Sequence, residues 1–187
     1  MFILNLDPFS VFPLQLLGFD VDVINSVQFS NHTGYPFGYE GDVLDGEQLK
    51  RLVEGMERNG LLSSDDADSD DGIGNILTGY IGSASFLAAV VSVVRKLKTL
   101  NAKCRYVCDP VLGDMGKFYV PKELVHIYRR DVLPLVSAIS SAFLGLFQEW
   151  VLPAAKGHAI FGVIRKQVPS ANWSRAAPSL KTQCFCA

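Results

Sequence analysis

A chain of 187 residues with 49% hydrophobic and 19% charged side chains has the size and composition of one globular domain, which excludes a disordered or collagen-like polymer. Its net charge of −2 hides an asymmetry: residues 140–187 hold five bases and one acid, +4, which leaves −6 for the remainder. Those bases are scattered among apolar residues, so the electrostatic footprint is weak and no nucleic-acid partner is expected.

The first residues, Met1-Phe2-Ile3-Leu4-Asn5-Leu6-Asp7, have no basic region and meet an acid at once, unlike a signal peptide. Val21, Val23 and Ile24 beside Asn25 and Ser26 predict a strand that enters a polar loop. Asp45 with Gln48 three residues on predicts a capping box, followed by an apolar stripe of Leu49, Leu52, Val53 and Met56. That helix is expected to run to about Arg58 and to stop at Gly60.

Residues 63–72 form an acidic run that repels itself, and they predict a solvated insertion over about 63–74. An EF-hand counted from Asp66 would need Gly and Glu where Asp71 and Leu77 stand. A strand is expected over 76–80, then a helix capped by Ser83 with Phe86, Leu87, Val90, Val91, Val94 and Leu97 on its apolar face. A third strand follows at 105–108, a short helix at 121–128 with Pro121 near its start, and a fourth strand beginning within 135–139. Cys104 and Cys108 bracket the third strand about 13 Å apart, too far for a disulfide, and read as reduced core thiols of a cytoplasmic protein. The uncharged stretch 132–147 is sixteen residues long, short of the ~20 needed to span a membrane, so no membrane association is expected.

Alternating strands and amphipathic helices are the rhythm of a parallel α/β sheet. In such sheets ligands bind beyond the carboxyl ends of the strands. The third strand ends in Asp109-Pro110-Val111-Leu112-Gly113-Asp114, which delivers two carboxylates there. Two hard oxygen donors suit a hydrated Mg²⁺ with its phosphates, and the competing reading is an acidic turn without a ligand.

Phe12-Pro13-Leu14-Gln15-Leu16-Leu17-Gly18, Asn25-Ser26-Val27-Gln28-Phe29-Ser30-Asn31-His32-Thr33-Gly34-Tyr35, Leu77-Thr78-Gly79-Tyr80 and Val107-Cys108-Asp109-Pro110-Val111-Leu112-Gly113-Asp114 together resemble pyridoxal kinase. Tyr119-Val120-Pro121 extends the resemblance, which covers about residues 11–139. It implies a partial ribokinase-like three-layer α/β/α fold in a domain spanning 1–139, with a mostly parallel sheet. It also implies transfer of the γ-phosphoryl of ATP to the 5′-hydroxyl of pyridoxal, pyridoxine or pyridoxamine, in a homodimer that uses Mg²⁺ and a monovalent cation. By this resemblance Val27, Thr33 and Tyr80 line the vitamin pocket. Asp109, Asp114 and Tyr119 lie near ATP, with the two acids as cation ligands.

The resemblance has departures. Met1 to Ser10 replaces the family's opening strand and Ser/Gly loop, and Ser140-Ser141-Ala142-Phe143 replaces its Thr-Pro-Asn-Gln-Phe-Glu. The family's Gly-Thr-Gly-Asp motif, with its catalytic base and phosphate-cradling amides, has no counterpart here. Apart from a possible helix over 141–150, residues 140–187 lack periodicity and are expected to form a divergent, poorly ordered tail. The expected outcomes are a C-terminally incomplete sheet of marginal stability and an impaired kinase. The alternative is a non-catalytic binding or interaction fragment, from an alternative transcript or a faulty gene model.

Overall fold

A computed structural model describes residues 1–4, 8–62, 73–114, 117–118 and 120–139. The described chain runs β1 (Phe2–Leu4), α1 (Pro8–Leu16), β2 (Asp22–Ile24), β3 (Val27–Phe29), β4 (Gly41–Val43), α2 (Gly46–Arg58) and β5 (Asn75–Thr78). It continues with α3 (Ala84–Leu100), β6 (Arg105–Cys108), β7 (Gly113–Asp114), β8 (Lys117–Phe118), α4 (Glu123–Ile127) and β9 (Ala138–Ile139). Strands β2, β1, β5, β6 and β9, in that order, form a five-stranded sheet in which every pair is parallel.

The expected α/β alternation is therefore present, and the handedness of its crossovers sets the layers. The connections from β2 to β5, β5 to β6 and β6 to β9 all step across the sheet in one direction. Right-handed crossovers put α2, α3 and α4 on one face, and these helices do pack in that order, α2 on α3 and α3 on α4. The step from β1 to β2 runs the other way, which the same rule translates into α1 on the opposite face.

Beneath the three helices lies the core. Helix α3 buries the predicted Phe86, Leu87, Val90, Val91, Val94 and Leu97 together with Ala89 and Val93, a wider face than its apolar stripe predicted, because it is flanked by helices on both sides. Ser83 caps it, accepting a bond from the Phe86 amide. The predicted capping box of α2 is present: Asp45 Oδ1 accepts from the Gln48 amide at 2.8 Å, and Gln48 Oε1 accepts from the Asp45 amide at 2.8 Å. Leu49 and Val53 are buried, whereas Leu52 at the edge of that stripe is exposed. Asn59 caps the helix and Gly60, at φ +70°, turns the chain away as expected.

Several boundaries differ from expectation. Residues 2–4 complete the sheet as a strand between β2 and β5, although the resemblance began only at residue 11. The strand expected over 76–80 runs 75–78, since Gly79 and Tyr80 leave the ladder. The helix expected over 121–128 continues through a π-helical turn, Tyr128–Val132, and a 3₁₀ turn, Leu133–Leu135. That leaves only Ala138–Ile139 for the last strand. Two antiparallel hairpins, β3 with β4 and β7 with β8, had no clear sequence signal because their strands are two or three residues long. The acidic run, Tyr119 and everything predicted beyond Ile139 lie outside the described residues. Among the described residues no helix is long and apolar enough to cross a membrane.

Helices α2 and α3 start in contact: a Cβ on Gly46 would sit 2.4 Å from the carbonyl oxygen of Ser85. Gly46→Ala is expected to lower stability in urea unfolding by about 2 to 3 kcal/mol through forced separation of the helix starts. Asp45→Ala, which removes only the cap, is expected to cost about 1 kcal/mol. Equal losses from the two would contradict the close approach.

Candidate functional site

The five strands of the sheet end in one row. Leu4 pairs with Ile24 and with Thr78, Thr78 with Cys108, and Cys108 with Ile139. Gly79 and Asp109 are therefore neighbouring exits from the sheet at its carboxyl edge. The step direction reverses between β1 and β5, next to the Gly79 exit, and ligands of open α/β sheets bind at such a switch point.

Asp109 is anchored through its backbone. Its amide donates to the Thr78 carbonyl at 2.7 Å, which continues the β5–β6 ladder by one bond, and its carbonyl accepts from the Val111 amide at 2.9 Å. Pro110 and Leu112 are buried on either side of Val111, so the turn is held by packing as well. Asp114 follows in β7, paired through the backbone with Lys117. Of the two predicted acids, then, one stands at the strand end and the other in the hairpin that follows.

Tyr80 follows β5 and is half-buried. The hydroxyl of buried Ser26 donates to its carbonyl at 3.1 Å, so the β3–β4 hairpin is tied to the exit from β5. Val27 and Phe29 share the half-buried side of β3, and the Phe29 ring meets Tyr39 at a centroid distance of 4.5 Å. Burial, with a smaller contribution from nearby Tyr39, holds the Tyr80 hydroxyl above its ordinary pKa. Phe29 and Tyr39 were missed by the sequence reading. The alternation of Val27 with Phe29 was a usable signal for the first, but Tyr39 comes close only through hairpin pairing.

Thr33 stands on the exposed turn of that hairpin. Its neighbours spend their polar atoms on the loop itself. Asn31 Nδ2 donates to the carbonyls of His32 and Gly38 at 3.0 Å each, Ser30 Oγ donates to Asn31 Oδ1 at 2.6 Å, and His32 Nδ1 accepts from the Gly34 amide at 3.1 Å. This accounts for much of the Ser-Asn-His-Thr-Gly block: its side chains shape the turn that carries Thr33. Val27 and Tyr80 thus flank the Ser26 tie, Asp109 lies one strand over, and Thr33 reaches out from the hairpin. Tyr119 lies outside the described residues.

Behind the edge sits a buried polar cluster. The hydroxyls of Thr78 and Tyr106 share a hydrogen bond of 3.0 Å, and Cys108, the ladder partner of Thr78, buries its thiol. Burial pushes that thiol up to about 11, against the opposing pull of the two hydroxyls. Burial also holds the Tyr106 and Tyr128 hydroxyls well above the ordinary tyrosine value. The Tyr128 hydroxyl is buried without a hydrogen-bond partner among the described residues, which leaves it available to a water or ligand atom. Cys104 and Cys108 are free thiols, as expected.

A parallel sheet with helical crossovers and level strand ends defines an open α/β protein, and its pyridoxal kinase structural neighbours make it a partial ribokinase-like one. No protein-family model matches the chain. A pyridoxal kinase of Arabidopsis thaliana is 56% identical over 131 residues, which cover 70% of this chain and 39% of that protein. The Homo sapiens pyridoxal kinase is 45% identical over 135 residues, 70% of this chain and 40% of that one. The structure of Leishmania donovani pyridoxal kinase in complex with ADP and pyridoxine superimposes with a TM-score of 0.64 at 32% identity, covering 74% of this chain and 50% of that one. Over this matched part the chain belongs to the pyridoxal kinase family, and it spans about 40% of the length of the curated relatives it matches.

Because the Cys108 thiol ionises less readily in the folded state, its neutral form contributes stability that is full below about pH 9 and is lost as pH rises toward 11. Urea midpoints are expected to fall across that window, with part of the decline removed in Cys108→Ala. Peptide mapping after iodoacetamide treatment at about pH 8 should find Cys108 unlabelled in the native chain and labelled in guanidinium.

Proposed function

We propose that this chain carries the vitamin-facing and phosphate-facing strand ends of a pyridoxal kinase. The reaction is the ATP-dependent phosphorylation of the 5′-hydroxyl of pyridoxal, pyridoxine or pyridoxamine. The observation that carries the reading is the delivery of Tyr80 and Asp109 by adjacent parallel strands to one edge, with the Val27 hairpin tied to the first of them. Supporting it are relatives of that name and a structural neighbour bound to ADP and pyridoxine.

In this reading Tyr80 offers an aromatic face and Val27 an apolar wall to the pyridine, while Thr33 offers its hydroxyl to a polar ring atom. Asp109 and Asp114 approach the nucleotide phosphates, with Tyr119 nearby. No cluster of three His, Cys, Asp or Glu suited to a metal is found among the described residues. Mg²⁺ does not need one, because it is commonly held by one or two carboxylates together with water and phosphate oxygens, and these acids fit that habit. When bound, such an ion neutralises charge on the phosphates. A monovalent cation would act beside it. A cytoplasmic setting suits the two reduced, buried thiols.

The 187 residues by themselves are expected to bind better than they turn over. Residues 140–187 contain one carboxylate, Glu149, and no glycine-rich phosphate loop of the family's kind. Phosphoryl transfer depends on positioned charge and a base, and a base alone is commonly worth about 10²–10⁴-fold.

The test is pyridoxal binding by equilibrium dialysis alongside ATP-dependent formation of pyridoxal 5′-phosphate. Pyridoxal binding is expected, weakened about tenfold by Thr33→Ala or Tyr80→Ala, a loss of roughly 1.4 kcal/mol. Turnover is expected to be slight. Substantial product that disappears in Asp109→Ala would overturn the impairment, and absence of any pyridoxal binding would overturn the pocket.

A further inference from the structure

The polar cluster behind the carboxyl edge occupies positions where apolar side chains of the same shape would pack equally well. Thr78 is 0% exposed and Tyr106 1%, and valine and phenylalanine are their near isosteres. Burying two hydroxyls costs desolvation energy that their one mutual bond returns only in part. The stability of the sheet therefore gives no reason for polar side chains at the last rung, Thr78 with Cys108, and at Tyr106 just before it.

Their connections supply one. Thr78 is the residue whose carbonyl accepts the Asp109 amide, and Tyr80 stands two residues further along the same turn. Cys108 immediately precedes Asp109. Tyr106 is held from the far side, donating its amide to Ser137 Oγ at 3.1 Å and accepting from the Ser137 amide at 2.7 Å. The bonds thus link the approach to β9, the middle of β6 and the end of β5 through side chains as well as through the ladder.

We infer that the hydrogen-bonded hydroxyls of Thr78 and Tyr106 are positioning groups that hold the Asp109 turn in fixed register with the Tyr80 turn. The inference rests on the proposed reading of those turns as the phosphate and vitamin sides of one site. Thr78 and Tyr106 touch no ligand in this scheme. They act by fixing the separation between two groups that do, which is where positioning has its effect in phosphoryl transfer.

Two measurements on the full 187-residue chain test it. The first is amide hydrogen exchange in the unliganded protein, followed at Asp109 and, for reference, at Val90 and Val94 in α3. The second is binding of Mn²⁺ with ADP, counted by electron paramagnetic resonance. Tyr106→Phe and Thr78→Val are each expected to speed exchange at Asp109 at least tenfold with the α3 amides unchanged, and to weaken Mn²⁺–ADP binding about five- to tenfold. Thr78→Ser, which keeps the hydroxyl, is expected to stay within twofold of the parent in both.

The positioning role is overturned if Asp109 protection in Tyr106→Phe and Thr78→Val matches the parent, or if the α3 amides lose protection equally. It is also overturned if Thr78→Ser fails as badly as Thr78→Val. Loss of Mn²⁺–ADP binding in Asp109→Asn with parental binding in the two hydroxyl variants rejects the inference and leaves the site reading standing. A parent that does not bind Mn²⁺–ADP, or an Asp109→Asn variant that binds as the parent does, rejects the site reading itself.

Discussion

Parallel strands in strict register place their ends level, and this constraint governs everything at the carboxyl edge. Ile24, Leu4, Thr78, Cys108 and Ile139 share one row, so whatever follows each strand emerges at the same height. A shift of one residue between β5 and β6 would turn Thr78 or Tyr106 to the other face of the sheet. It would also break the bond from the Asp109 amide to the Thr78 carbonyl. The spatial relation of Tyr80 to Asp109 is therefore a product of strand pairing, and pairing is in turn enforced by burial of Ile76, Thr78, Tyr106 and Cys108.

Cover on the two faces of the sheet is unequal. The face under α2, α3 and α4 holds a continuous apolar core that includes Leu49, Phe86, Leu97, Leu124 and Val132. Around α1, by contrast, Phe12, Leu16, Leu17 and Phe19 are exposed, and the edge strand β2 exposes Val23. Parallel sheets owe their stability to burial on both faces, so the stable part of the described structure lies on the α3 side. The site's strand ends, β5 and β6, are the two strands joined by α3 and belong to that better-packed half.

Polar side chains near the edge fall into two groups by burial. Ser30, Asn31 and His32 are solvated and bond within their own loop, where water competes and each bond counts for little. Ser26, Thr78 and Tyr106 are buried, and their bonds cross between elements: hairpin to β5, and β5 to β6. Bonds of this second kind are costly to leave unmade and so specify one arrangement of the site.

The two principal helices were legible in the sequence because their signals are local. A capping residue and an apolar stripe at helical spacing identified α2 and α3 nearly to the residue, and the strand that ends in Asp109 was visible as an apolar run stopped by Asp-Pro. Resemblance added the grouping of Val27, Tyr80 and Asp109 into one site. What local pattern could not supply was partnership. Residues 2–4 are too few to announce a strand, and they become one only because β2 and β5 offer backbone donors and acceptors on both sides. The tie from Ser26 and the Thr78–Tyr106 bond both join residues far apart in the chain. By itself the sequence determined which segments form helices and strands and which carry acids, since propensity, capping and periodicity act over a few residues. Tertiary structure alone decided which strand lies beside which and in what register, because burial and backbone pairing are satisfied only once distant segments meet.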